Sequence, residues 1–151
     1  MKRILLFGLL VFGLSLLCSC DGNDDGTSGP DSITGTWEAY LLEQVQVSTG
    51  NVVYRENVKE AGETLRLTFK PGGSCVVSDG EDAVTVGYHF LSGKELKELG
   101  IPSSKKALDI GGDIYHVEQL TSSTLVLFEA IEDLDPDAYI ERLNRITFRR
   151  L

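Results

Sequence analysis

The sequence predicts an all-β fold, a small antiparallel barrel or sandwich of eight or nine short strands. Three observations predict it. From Ile33 onward, apolar and polar residues alternate with period two. Turn residues arrive about every 8 to 14 positions, the spacing of hairpin-linked strands. No helical pattern is long enough for the crossovers that parallel strands require, so a parallel α/β sheet is excluded.

The chain opens with a segment that does not belong to that fold. Met1-Lys2-Arg3 is positively charged, and Ile4 to Leu17 is apolar apart from Ser15 and two glycines. A run of about 14 apolar residues is too short to cross a bilayer as a helix, which needs roughly 20. With its basic start and the small residues at its end, it reads as a secretory signal peptide over residues 1–19 rather than an uncleaved anchor helix. Leu17-Cys18-Ser19-Cys20 resembles the lipobox of bacterial lipoproteins, with a Leu three positions before the modified Cys and a small residue just before it. The peptidase of that family cuts after a small side chain. Cys18, preceded by the bulky Leu17, is therefore the poorer candidate, and Cys20 is the expected lipidation site. The resemblance implies a mature protein held to a membrane by acyl chains (palmitate among them) on Cys20, tethered and not spanning. The expected location is the outer membrane, on either the periplasmic or the cell-surface face.

Residues 20–32 form the expected tether. Asp21 to Asp31 carries no aliphatic or aromatic side chain, and such a stretch cannot bury enough surface to offset its ordering entropy. Asp21, Asn23, Asp25 and Gly26 fit the start of a calcium loop, but Ser32 stands where the bidentate Glu belongs, so that reading is rejected. Asp21, Asp24 and Asp25 are similar to the acidic export signal of some surface lipoproteins, which leaves the membrane face open.

Residues 33–151 make up the expected domain. Thr36 to Val47 is the first strand, and Val52 to Val58 follows the turn at Ser48-Thr49-Gly50-Asn51. Leu65 to Lys70 alternates cleanly, and Pro71-Gly72-Gly73 turns it into Cys75 to Ser78. Asp79-Gly80 turns again into Ala83 to Leu91, with Val84, Val86, Tyr88 and Phe90 on one face. Lys94 to Leu99 is one helical turn, stopped by Gly100 and Pro102. Ala107 to Ile110 and Ile114 to Leu120 flank Gly111-Gly112-Asp113, and Leu125 to Ile131 follows. Asp133 to Asp137 is a loop, with a short helix possible through Tyr139. Asn144 to Leu151 is the last strand, with Ile146 and Phe148 facing inward.

Gly35-Thr36-Trp37 at the first strand resembles the G-x-W opening of lipocalins. Leu65-x-Leu67-x-Phe69-Lys70-Pro71-Gly72-Gly73 and Tyr115-x-Val117-x-x-Leu120-Thr121 are similar to lipocalin-like domains of bacterial lipoproteins. The resemblance implies an eight- to nine-stranded lipocalin-like β-barrel. It also implies a structural signature in which Trp37 closes one end, beside Gly35, with a late arginine across its face. Arg149 is the expected partner, opposite in facing to Ile146 and Phe148. The chain departs from the family in being short, without a disulfide, and without a clear C-terminal helix.

Chemistry is sparse in the sequence. With Cys18 removed and Cys20 lipidated, Cys75 is the one thiol left, so no intramolecular disulfide forms, and the thiol reads as a small buried hydrophobe. His89 and His116 each alternate against an apolar face and read as solvent-facing. A metal pair between them, with Glu118 as third ligand, is the less favoured reading. No nucleophile, metal or phosphate-loop motif is present, and the acids of Asp79, Glu81, Asp82 and of Asp133, Asp135, Asp137 sit in turns. The expectation is no enzyme, no cofactor and no metal. A formal charge of −9, two units lower once Lys2 and Arg3 are removed, disfavours nucleic acid as a partner.

Of the tyrosines at 40, 54, 88, 115 and 139, Tyr88 and Tyr115 join Trp37 as candidate pocket-lining residues. The functional expectation is therefore a membrane-anchored envelope lipoprotein whose barrel binds a small hydrophobic or amphipathic ligand. The alternative is a filled barrel serving as a structural or interaction partner in an envelope complex.

Overall fold

The structure is a computed structural model that describes residues 32–129 and 142–151. The expected signal peptide, the Cys20 lipidation site, the tether as far as Asp31, and the Asp133–Asp137 loop with Tyr139 lie outside the described residues.

Nine strands and one short helix follow in the order β1 (Gly35–Gln46), β2 (Val52–Asn57), β3 (Arg66–Lys70), β4 (Ser74–Ser78), β5 (Ala83–Phe90), α1 (Gly93–Glu98), β6 (Ala107–Ile110), β7 (Asp113–Leu120), β8 (Thr124–Glu129) and β9 (Arg142–Arg150). All pairings are antiparallel. Tight turns set the registers. At the β3–β4 turn Gly72 and Gly73 have φ of 89° and 79°, and a Cβ on Gly73 would lie 3.2 Å from the Tyr88 carbonyl. α1 is held by a capping box, with the Ser92 side chain accepting from the Glu95 N–H and the Glu95 side chain accepting from the Ser92 N–H.

Eight strands, β1 and β3 to β9, follow one another in a ring, because β1 pairs with both β3 and β9. The sheet nevertheless does not close into a barrel, and the expected lipocalin-like barrel is corrected on this point. A barrel abolishes strand edges; this sheet keeps them in two places. The second edge of β1 is divided, with Gly35–Glu38 given to β3 and Leu41–Val45 given to β2, and β2 ends the sheet. Across the ring, β6 has only four residues and pairs with just the last three of β5, Tyr88 to Phe90. The expected inward face of β5 is accordingly half covered, with Val84 and Phe90 exposed and Val86 and Tyr88 partly buried. No helix among the described residues is long and apolar enough to cross a membrane.

The period-two pattern does place the core. Leu67, Phe69, Cys75, Leu108, Ile110, Tyr115, Leu125, Leu127, Ile146 and Phe148 alternate along their strands onto one face and pack with Trp37, Ala39 and Leu42 of β1. Trp37, Phe69, Phe148, Leu108 and Leu125 are the largest wholly buried side chains.

Candidate functional site

Trp37 lies at the end of the sheet where the chain enters β1, with no solvent exposure. Its indole Nε1 donates to the Ile33 carbonyl at 2.7 Å. The cation over its ring is Arg150, 4.5 Å from the ring centroid, which corrects the expected Arg149. Strand parity explains the difference. Ile146, Phe148 and Arg150 share a face, and Trp37 pairs with Arg150 on that face, whereas Arg149 opposes Glu38 and points away. Arg150 also donates to the Ser32 carbonyl, and its guanidinium passes 3.8 Å from the position of a Cβ on Gly35. The signature at Gly35 and Trp37 thus surrounds the point where the preceding chain joins the domain.

Of the three candidate pocket residues, Trp37 and Tyr115 are buried in the core and Tyr88 is partly buried against it. Tyr115 is buried, and burial, reinforced by Asp113 and Glu129, raises its hydroxyl pKa far above the ordinary value. Tyr88 meets Phe69 edge-on at 4.8 Å between centroids, and its hydroxyl donates to the Lys70 carbonyl at 3.2 Å. Trp37 and Tyr115 occupy the interior they were expected to line, and Tyr88 packs against its margin. A ligand-binding barrel, and equally a filled barrel serving as an interaction partner, is corrected by an open sheet whose inner face is taken up by side chains. Cys75 is wholly buried, and burial pushes its thiol up to about 11, which removes nucleophilic character at neutral pH.

The histidines divide. His89 is exposed, and its Nε2 contacts Glu95 Oε1 at 3.1 Å. Together with Ser92, His89 holds the Glu95 carboxyl down at about 2, the Ser92 hydrogen bonds being the larger cause. His116 is half-buried rather than solvent-facing, and burial, with Lys105 nearby, lowers its pKa. β6 lies between the strands that carry His89 and His116, since His89 pairs with Asp109 and His116 with Ala107. Among the described residues no group of three His, Cys, Asp or Glu gathers to hold a metal ion.

Sequence reasoning missed the charge ladder on the outer face of β1. Glu43 is 4 % exposed yet charged, held by Arg55 at 2.5 Å and Arg145 at 2.8 Å. Burial opposes that charge, but hydrogen bonds from the two arginines keep its carboxyl below the usual range. Glu38 is similarly clamped by Arg149 at 2.7 Å and Arg66 at 2.8 Å. The only signal in the sequence was that acids on β1 and arginines on the last strand sit in register, which is visible only once β1 and β9 are known to pair.

The ladder leads to β2. Among the described residues β2 pairs with β1 alone. Val52, Val53 and Tyr54 are exposed (46 % for Val53, 41 % for Tyr54), as is Val47 across the hairpin. The Val58 N–H donates to the Tyr40 carbonyl. By the alternation of an antiparallel ladder, the N–H groups of Glu56 and Tyr54 turn toward β1, and those of Arg55 and Asn57 turn outward. Of the charges on this strand, which natural sequences place on an edge to repel neighbours, Arg55 is engaged by Glu43. Chemically this is an apolar strand edge with unpaired backbone groups, suited to hydrogen-bonding another extended chain. No family model, curated protein or solved structure matches the chain.

Proposed function

We propose that the chain is an exported, non-enzymatic protein held to the outer membrane by lipid on Cys20. Its domain, in this reading, takes an extended segment of an envelope protein partner onto the free edge of β2. The observation that carries the reading is the exposed Val52-Val53-Tyr54 run on a strand that has one neighbour among the described residues. Strand addition needs little else, because main-chain hydrogen bonds provide affinity and alternate side chains provide selectivity. The anchor rests on the resemblance of Leu17 to Cys20 to a lipobox.

A photo-crosslinking benzoylphenylalanine in place of Tyr54, introduced in the host cell, should yield one dominant adduct. Val53→Lys, which puts a charge on the edge without touching the core, should reduce that adduct at least about tenfold, the effect of about 1.4 kcal/mol. An adduct indifferent to Val53→Lys, or no adduct, contradicts the edge. Cys20→Ala should release the protein from membranes, and continued retention would sink the anchor.

A further inference from the structure

We propose that the end of the domain where the chain enters is a docking face for an anionic phospholipid surface. The topology brings five segments to that end. β1 starts there at Gly35, Gly35 pairs with Phe69 near the β3–β4 turn, and Ser74 pairs with Gly87 near the end of β5. From there the chain passes through α1 to Ala107 at the start of β6, while Leu120 pairs with Leu125 at the β7–β8 turn and Thr124 with Arg149 near the C-terminus.

The charge of this end is opposite to that of the molecule. Lys70, Lys94, Lys97, Lys105 and Lys106 are all exposed there, on a chain whose net charge is −9. The acids among them are Glu95 and Glu98, the latter paired with Lys94 at 3.8 Å, so five lysines against two carboxylates leave this end net positive. At the opposite end, the β4–β5 turn holds Asp79, Glu81 and Asp82, and the β6–β7 turn is flanked by Asp109 and Asp113, with no lysine or arginine in either.

Apolar side chains stand among the lysines. Leu99 and Phe90 are each 41 % exposed, and Pro102 is exposed beside a shallow depression lined by Gly93, Lys97, Gly100, Ile101 and Ser103. Cationic ammonium groups around protruding apolar side chains match headgroup phosphates over acyl chains. The acidic distal end is repelled by the same surface, so the charge asymmetry orients the domain as well as attracting it. The placement fits the tether, because residues 20–32 join the domain at this end. The proposal rests on the anchored reading only for which surface lies near, and its charge argument stands without the anchor.

The test uses the full chain purified from its host, with intact mass recorded for acyl groups. The chain is presented to vesicles of phosphatidylcholine alone or with about a third phosphatidylglycerol, and amide exchange is followed. Exchange across residues 93–106 is expected to slow at least about fivefold on the anionic vesicles, the effect of a single lysine at such a surface. It should return to the neutral-vesicle rate in about 0.5 M salt, where screening is short-ranged. Residues 46–57 should not respond.

Joint replacement of Lys94, Lys97, Lys105 and Lys106 by Glu should abolish the response while exchange of β9 stays slow, showing the variant folded. Equal exchange on both vesicles overturns the proposal, and so does equal protection by inorganic phosphate without vesicles, which would mark a phosphate site instead. Protection without acyl mass leaves the docking face standing and removes the tether; acyl mass without protection does the reverse.

Discussion

Removing the guanidinium of Arg150 takes away the cation over Trp37 and a donor to the Ser32 carbonyl in one step. Arg150→Met should cost about 1–3 kcal/mol, combining a cation–π contact with a charged hydrogen bond. Arg149→Met removes an exposed partner of Glu38, which keeps Arg66, and should cost less than about 1 kcal/mol. Urea unfolding of the two variants checks the order, and equal losses would contradict the assignment of Arg150. At this scale the sequence is a poor guide where two neighbours carry the same charge. Arg149 and Arg150 differ only in parity, and parity is defined by Ile146 and Phe148, whose inward facing was legible. Glu43 was illegible for a related reason. An acid one residue past Leu42 has no local mark of burial, and its arginines come from β2 and β9.

Among the elements, alternation and turn residues were enough to place every described strand within a few positions. Most described turns carry Gly, Asp or Pro, and in the β7–β8 turn the Thr121 hydroxyl accepts from the Ser123 and Thr124 N–H groups. What alternation does not encode is how much of one strand's edge its neighbour covers. β1 has 12 residues and β3 has five, so the hairpin strand β2 takes the remainder of that edge and, among the described residues, leaves its own outer side unpaired. The short β6 leaves the start of β5, which pairs with β4 on its other side, without a partner on the β6 side among the described residues. Barrel closure therefore failed as an expectation through strand length and offset, not through misplaced elements, and the ligand pocket failed with it.

Over the whole molecule, charge is sorted by end and by face. Glu38, Glu43 and Glu95 all bind their protons more weakly in the folded state than at the ordinary carboxylate value of 4.5. The stability they contribute is complete above that pH and is lost as pH falls toward about 2, the folded value of Glu95. Thermal unfolding between those limits should show a falling Tm, and Glu43→Gln should flatten part of the slope. A Tm unchanged across that interval would show that the carboxyls are unpaired in solution.

The edge of β2 is the feature on which the proposed function depends, and amide hydrogen exchange in the isolated chain reads it directly. With a free edge, the outward amides of Arg55 and Asn57 exchange far faster than the ladder amides of Glu56 and Val58. Comparable protection of all four would mean that the edge is already covered, and strand pairing with a partner would have nowhere to occur.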